Sequence, residues 1–404
     1  MATTIPVRFL DRETPPHIFT LIALTGIGAL SMNIFLPSLP QMTAYFETDY
    51  RLMQLSVALY LAVNAVLQIV IGPISDRYGR RPVLLWGVAG FLVATLGCIF
   101  APNVEVFLVF RMIQAMVVVS LVLGRAVVRD MYPADQAASQ IGYVTMGMAV
   151  VPMIGPAIGG VLDQSFGWQA NFWLLFVLGA LVFALTWRDL GETARATSSS
   201  FAAQFREYPE LLVSRRFWGY CLAAAFTSGA FFAYLGGAPY VGSEVFGLSP
   251  GAVGFYFGAP ALGYFFGNWI SGRFSVRLGI NVMILWGSWV SVAGLVISLA
   301  TFLAGFQTAL VFFGFMTFVG FGNGMVLPNA TSGMLSVRPH LAGTASGLGG
   351  AIMVGGGAAL SALAGAMLTG NSGAYPLIGI MLVASVLGVL SIVYTIRRER
   401  QVVG

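Results

Sequence analysis

A short polar segment, Gly72–Pro82, separates two long apolar stretches and mixes one acid with three arginines. Asp76 can pair with guanidinium groups through charge-assisted hydrogen bonds, which are about twice as strong as neutral ones. Gly72 and Gly79 permit close backbone approach and dihedral angles that other residues avoid. Such a turn could lock two helices together or release them. The arginines are Arg77, Arg80 and Arg81.

A second candidate is a charged side chain inside an apolar run. Arg111 lies within the run 105–128, and an arginine in hydrocarbon costs about 3 kcal/mol or more. One interpretation turns Arg111 toward a central cavity, with Gln114 one helical turn away, where it contacts substrate or governs a protonation site. The other lets the long side chain reach back to the outer headgroups near Glu105.

A third set of polar residues follows one helix face. Tyr60, Asn64 and Gln68 are spaced by four residues and lead toward Asp76. This face is expected to line a cavity, although hydrogen bonding between membrane helices would use the same residues without any ligand.

The elements that position these residues must be membrane helices. The chain of 404 residues is 58% hydrophobic and 9% charged, with a mean hydropathy of +0.85. All 20 basic residues are arginines, and most fall between apolar runs. The formal charge of +5 therefore reflects membrane topology rather than nucleic-acid binding. Cys98 and Cys221 lie inside apolar runs and are expected to be buried thiols.

Windows of about 20 apolar residues predict twelve spans. We therefore predict an all-α membrane protein with two six-helix halves, 1–187 and 217–404, joined by a polar linker, 188–216. The linker and both termini share one side with nearly all arginines outside the spans, so the positive-inside rule places them in the cytoplasm. The predicted spans are 18–38, 53–73, 83–101, 105–128, 139–163, 167–187, 217–241, 250–272, 282–303, 308–332, 342–368 and 374–396.

The two halves share a short sequence after their second spans. The run Ile74-Ser75-Asp76-Arg77-Tyr78 aligns with Ile270-Ser271-Gly272-Arg273-Phe274. Two related halves imply a site between them near the membrane midplane and alternating access by rocking.

These features resemble the major facilitator superfamily, and within it the twelve-span drug:proton antiporters of the Bcr/CflA type, over nearly the whole chain. The resemblance implies export of small lipophilic drugs or metabolites by a monomer in the bacterial inner membrane. It also implies the proton gradient as energy source, with no cofactor and no metal. The motifs that carry the resemblance are Gly72–Pro82, Phe110–Ala115, Arg125–Asp130, Val151–Gly160, Leu36–Pro40 and Gly167–Gln169.

The resemblance also assigns three groups of residues. It implies a substrate and coupling cavity, a cytoplasmic gate that holds the halves in an outward-facing state, and an antiporter motif whose small residues permit close packing and bending. The cavity group is Asn33, Tyr60, Asn64, Gln68, Arg111 and Gln114; the gate group is Gly72, Asp76, Arg77, Gly79, Arg80, Arg81, Arg129 and Asp130; the antiporter group is Pro152, Gly155, Pro156, Gly159 and Gly160.

One position departs from the family pattern. Members usually have aspartate where this chain has Asn33, which cannot titrate. A buried carboxylate opposite an arginine is the simplest proton site. We therefore expect either antiport through another acid, among Asp76, Asp163 and Glu244, or a facilitated or differently coupled carrier. Without an acid beside Arg111, the cavity is expected to favour neutral or anionic substrates over lipophilic cations.

Other classes of protein fit the sequence poorly. The chain has no lysine, hence no glycine-rich loop ending in Lys-Ser/Thr, and neither a His-Glu-x-x-His motif nor a His/Cys cluster occurs. These absences exclude ATP-driven pumping by this chain alone and weigh against an enzyme. A channel or receptor would also be helical, but the duplicated halves and the gate motif favour a carrier.

Overall fold

The computed structural model describes residues 7–14, 16–131, 151, 154–193, 209–338, 341–369 and 372–403. These residues form helices, and no β-strand occurs among them. Ten helices in the described ranges are long and apolar enough to cross a membrane. The all-α membrane fold is therefore confirmed, while the division at 188–216 stays a prediction.

Helices of the first half of the chain, up to residue 193, are α1 (Ile18–Asn33), α2 (Leu39–Tyr45), α3 (Tyr50–Tyr78), α4 (Arg80–Ile99), α5 (Val104–Gln114), α6 (Val118–Met131), α7 (154–166) and α8 (Gln169–Asp189). Helices of the second half, from residue 209, are α9 (209–212), α10 (Arg215–Tyr240), α11 (Pro250–Tyr256), α12 (Ala259–Leu278), α13 (Ile280–Leu303), α14 (Ala309–Val337), α15 (Ala342–Met367) and α16 (Tyr375–Val403).

Three predicted spans are interrupted. The first gives way after α1 to a 3₁₀ turn, Leu36–Ser38, whose proline lacks the N–H that would continue the helix. The fourth contains a 3₁₀ turn, Ala115–Val117, directly after Gln114. The eighth, 250–272, is divided into α11 and α12. Most of a further predicted span, 139–163, lies outside the described residues before α7. Irregular backbone at membrane depth requires protein or a cavity beside it, so these breaks mark candidate functional positions.

The polar segment after the second span is more helical than its sequence suggests. Helix α3 continues through Tyr78, and the turn into α4 is the single residue Gly79, with φ 94° and ψ 153°. A Cβ added at Gly72 would meet no atom of a described residue within 4 Å, so no close approach of those residues occurs at Gly72. The whole turn therefore depends on one glycine in a conformation that other residues rarely adopt.

Helices α3 and α15 run antiparallel in contact across the two halves of the chain. Gln54, near the start of α3, bonds to Ser361 near the end of α15, and Gln68 lies beside Gly350 near the start of α15. We call the side of the bundle where α3 ends and α15 begins the arginine face, because Arg80 lies there. The other side is called the opposite face.

Candidate functional site

Arg111 is turned into the protein, with 1% of its surface exposed. Its Nη2 donates to the backbone oxygen of Ser31 at 2.9 Å, and its Nη1 lies 3.4 Å from the Ser31 hydroxyl. Nη1 also donates to the side-chain oxygen of Gln114, which in turn donates to Thr95 at 2.8 Å. The guanidinium is thus held by Ser31 of α1 and Gln114 of α5, and Thr95 of α4 holds Gln114 in turn. The alternative in which the guanidinium reaches the headgroups is wrong.

Two aromatic rings cover the guanidinium. Its central carbon lies 4.3 Å from the ring centre of Phe35 and 4.1 Å from that of Tyr60. Cation–π contacts contribute about 2 kcal/mol when the cation is desolvated. The Tyr60 hydroxyl also lies 3.5 Å from the Ser31 hydroxyl. These contacts offset part of the cost of placing an arginine at membrane depth.

The positive charge of Arg111 has no carboxylate partner among the described side chains. Its Nε is buried and has no hydrogen-bond acceptor in the same part of the structure. Neutral oxygens and ring faces therefore hold a full charge in a dry environment, where electrostatic interactions are far stronger than in water. The site has one free donor and favours a polar or negatively charged group beside it.

Asn33 forms no hydrogen bond with Arg111. Its Nδ2 donates to Ala29 of the same helix at 3.0 Å, and its Oδ1 is buried without a partner among the described residues. Ser31 and Phe35 meet the guanidinium instead, because residues four apart share one helix face, whereas a residue midway between them faces away. Asn33 and Arg111 are therefore not bonded to each other in this conformation, and the place of Asn33 in the substrate cavity stays a prediction.

The polar residues of α3 contact two different parts of the protein. Tyr60 joins the Arg111 cluster, whereas Gln68 donates to Asn64 at 2.7 Å. A Cβ added at Gly350 of α15 would lie 2.8 Å from the Gln68 oxygen, so Gln68 packs against the second half of the chain. One end of the face thus contacts the buried cation and the other lies in the contact between the halves.

At the arginine face, Arg80 connects three helices. Its Nη1 pairs with Asp76 at 2.6 Å, and its Nε bonds Asp130 of α6 at 3.0 Å. Glu192 accepts the backbone N–H groups of Arg80 at 2.8 Å and Arg81 at 3.3 Å, which places a carboxylate at the positive end of the α4 dipole. The cluster joins parts of the first half of the chain to one another.

The other predicted gate arginines behave differently. Arg81 donates to the backbone oxygen of Leu190 at 2.8 Å and lies over the Trp187 ring at 5.1 Å. Arg77 lies over Tyr78 at 5.4 Å and forms no ion pair with a described residue. The side chain of Arg129 lies outside the described part of the structure. The geometry therefore brings together Asp76, Arg80 and Asp130 and leaves Arg77 apart.

Small residues of α7 contact both halves of the chain. Cβ atoms added at Gly155 and Gly159 would meet Leu30 of α1 and Ile34, which follows its last residue. On another side, a Cβ at Gly160 would strike the backbone of Pro250 in α11, and one at Gly254 would strike that of Pro156. Pro152 of the predicted motif lies outside the described residues. The motif thus permits α7 to pack between α1 and α11.

Contacts at the opposite face close the bundle there. Tyr50 donates to the backbone oxygen of Gly236 at 2.8 Å, and Gln54 donates to the backbone oxygen of Ser361 at 2.6 Å. Both bonds join the first half of the chain to the second, as the contact between α7 and α11 does. These bonds could not be predicted from the sequence, because their acceptors are backbone carbonyls that every residue carries.

The sequence profile described as Major Facilitator Superfamily matches residues 21–361. The chain belongs to that superfamily. It is 32% identical to a chloramphenicol resistance protein of Pseudomonas aeruginosa, over 79% of this chain and 76% of the relative. It is 31% identical to Multidrug resistance protein D of Escherichia coli (strain K12), over 86% and 88%. The crystal structure of the peptide transporter POT in complex with sulfate has the same fold, with a TM-score of 0.80 at 14% identity over 98% and 97% of the two chains.

Membership of the Major Facilitator Superfamily makes the chain a multi-pass membrane transporter of small molecules and confirms the interpretation as a carrier rather than an enzyme. A cavity of about 490 Å³ opens at the arginine face, apart from Arg111. Its walls come from α10, α14 and α16 and include Arg215, Arg216, Arg338 and Arg398. Arg216 pairs with Glu399 there at 2.6 Å, so this cavity belongs to the surface of the second half of the chain.

Proposed function

We propose that this Major Facilitator Superfamily member is a twelve-span carrier that exports small lipophilic molecules from a bacterial cell in exchange for protons. It alternates access between two six-helix halves, works as a monomer in the inner membrane and uses no cofactor. The names of its relatives, a chloramphenicol resistance protein and a multidrug resistance protein, support drugs as the cargo. The positive-inside rule supports the arginine face, with both termini, as the cytoplasmic side.

The substrate class follows from the uncompensated charge of Arg111. At an effective dielectric constant of about 20, two unit charges about 4 Å apart interact by about 4 kcal/mol. A lipophilic cation beside the guanidinium would be repelled by that order of energy, whereas an anion would be attracted. A neutral molecule can accept a hydrogen bond from the free Nε. The carrier therefore takes neutral or anionic substrates, which displace the ring of Phe35 or Tyr60 to reach the cation.

The transport cycle follows from the closed contacts at the opposite face. The bonds of Tyr50 and Gln54, with the contact between α7 and α11, form the outer gate in this proposal. Substrate enters from the cytoplasmic side while these contacts are made. Their separation then releases substrate outside, and the Asp76–Arg80–Asp130 cluster keeps the cytoplasmic ends of the first half together throughout.

The test is drug-driven proton movement in proteoliposomes, followed with a pH-sensitive dye. Chloramphenicol serves as the neutral probe beside a lipophilic cation and an aromatic carboxylate. We expect proton movement with the neutral and anionic compounds and little with the cation. Proton-coupled transport of the cation at a comparable rate would contradict the assigned substrate class.

A facilitated or differently coupled carrier is the second candidate, because position 33 cannot titrate and no described carboxylate faces Arg111. In the same assay, saturable flux and counterflow without proton movement would support it. Asn33→Asp is the informative variant: if protons move only in that variant, antiport is not a property of the unaltered chain. If the unaltered chain moves protons, its titrating group lies elsewhere.

A further inference from the structure

Asp163, near the end of α7, is an acidic residue buried inside the protein. Only 3% of the residue is exposed. Both of its carboxylate oxygens are buried, and neither forms a hydrogen bond of normal geometry with a described residue. Its polar neighbour is the hydroxyl of Ser38, which accepts a bond from Asn171 of α8 at 3.0 Å. The Arg111 site does not use this acid.

No neighbouring element supplies a countercharge. Helices α1, α2 and α11, the turn Leu36–Ser38 and the remainder of α7 contain no acidic, basic or histidine side chain besides Asp163. The charged residues of α8, Arg188 and Asp189, lie at its other end. The titratable groups on these elements are the hydroxyls of Tyr45 and Tyr256. The charged groups at the same face, Glu47, Asp49, Arg51, Glu105 and Glu244, form no ion pair with Asp163.

An ionised carboxylate is very costly in such a place. Burying a charge that has no ionic partner and only one neighbouring hydroxyl as a donor costs several kcal/mol, whereas the neutral acid costs much less. The closed conformation is therefore compatible with a protonated Asp163 and opposes an ionised one.

Asp163 also lies next to the outer gate. Gly160, one turn earlier, packs on the backbone of Pro250, and a Cβ added at Gly251 would lie 2.6 Å from the side-chain oxygen of Gln164. Separation of α7 from α11 would thus open the contact beside the acid and admit water to it. The carboxylate could then ionise at little cost.

We propose that Asp163 is a proton-binding site over which the outer gate closes. A proton from the outer solution adds to a carboxylate oxygen as α7 and α11 come together, and it leaves the same oxygen when they separate. The inference rests on the proposed function for the assignment of the outer side and names where outer pH acts. Because this proton returns to the side from which it came, the proton exchanged for substrate is carried by another group.

The experiment measures gate distance rather than transport. Ala44 in α2 and Leu310 in α14 are exposed at the opposite face, and Ala44→Cys with Leu310→Cys would carry spin labels for pulsed distance measurements in nanodiscs. The native Cys98 and Cys221 are buried and poorly accessible to the label. We expect the open-to-closed ratio to rise with pH by up to about tenfold per unit, the limit for one linked proton.

Asp163→Asn keeps the shape of the neutral acid and should remain closed at every pH. Glu105→Gln, which removes an exposed carboxylate from the same face, should keep the pH dependence of the unaltered chain. An Asp163→Asn protein that still opens with rising pH, or that opens at all pH values, would overturn the proposal.

Infrared spectroscopy gives a second readout that needs neither labels nor substrate. The closed protein should show the C=O stretch of a protonated carboxyl at neutral pH, and Asp163→Asn should lose it. An unchanged band would refute the assignment. Both readouts remain valid if the chain exports nothing, so failure of the site and failure of the proposed function can be told apart.

Discussion

The turns at Gly79 and Gly279 have nearly the same backbone in very different surroundings. Gly79 has φ 94° and ψ 153°, and Gly279 has φ 85° and ψ 152°. Each donates its N–H to a serine four residues earlier, Ser75 at 3.0 Å and Ser275 at 2.9 Å. The structure therefore aligns Ser75 with Ser275, one helical turn beyond the alignment suggested by the sequence. The internal repeat is real in its backbone, but the predicted register is wrong.

The side chains around the two turns have diverged. Around Gly79, Arg80 binds Asp76 and Asp130 while Glu192 caps α4. Where the first turn has Asp76, the second has Val276, which is 94% exposed. A glycine preserves the turn in both halves of the chain, whereas the ionic cluster surrounds only the first turn. Among the described residues, the ionic cluster at the turn is therefore confined to the first half of the chain.

The two halves of the chain also differ in the surroundings of an acid near the end of their last helix. Asp189, at the end of α8, accepts bonds from Leu10 N, His17 N and the Thr20 hydroxyl at 2.6, 2.8 and 2.6 Å. Glu399, near the end of α16, accepts bonds from Arg216, Tyr220 and Asn281. Asp189 thus joins α8 to α1, and Glu399 joins α16 to α10 and α13. The first uses a buried cap of mostly backbone donors, and the second uses a partly exposed network of side chains.

The largest expected effect comes from removing the centre of the ionic cluster. Arg80→Ala leaves Asp76 and Asp130, whose side chains are only 19% and 20% exposed, without their shared cation. We expect a loss of about 3 kcal/mol in the free energy of unfolding, as for a broken buried pair, measured by denaturant titration in detergent. Arg277→Ala, at an exposed arginine near the second turn, is the matched control and should change little. Equal losses would show that the two turns do not differ as described.

The two helix-end acids give the next comparison. Asp189→Asn removes one acceptor oxygen and turns an amide donor toward three donors at a site with no exposed surface, which should cost about 2 kcal/mol. Glu399→Gln should cost about 1 kcal/mol, because the Glu399 side chain is 22% exposed and water can replace part of the bonding. Thermal unfolding of the two variants beside the unaltered chain shows which variant loses more stability. The reverse order would mean that the side-chain network, and not the buried cap, is the stronger tie.

The sequence predicted the structure correctly where a residue type has a single physical use. Apolar runs located ten helices that are long and apolar enough to cross a membrane, Gly79 marked the turn, and an arginine in an apolar run marked a buried polar cluster. It failed where the answer depends on which helix faces which. Arg111 contacts Ser31 of α1 and Phe35 just beyond it rather than position 33, and only the rotation of α1 against α5 decides that.

Two other features left little local signal. The 3₁₀ turn at Ala115–Val117 contains neither proline nor glycine, so its sequence reads as continuous helix. Glu192 follows the last span of the first half, and an acid there is ordinary for a linker until the fold brings it to the start of α4. Both features arise from tertiary contacts that periodicity does not encode.

The smallest effect compares the two glycine turns directly. Both lie in a backbone region that only glycine adopts easily, where another residue costs about 1–3 kcal/mol, so Gly79→Ala and Gly279→Ala should each destabilise the protein. A Cβ at Gly79 would also strike the Glu192 carboxylate, whereas one at Gly279 would meet no atom of the described residues within 4 Å. Gly79→Ala should therefore be worse by about 1 kcal/mol, the order of one lost charge-assisted bond, in denaturant titrations of both variants. In a Glu192→Gln background, where the charge-assisted bond is already weakened, the gap between the two alanines should shrink. If the gap persists there, it arises from the backbone of the first turn and not from the carboxylate that caps α4.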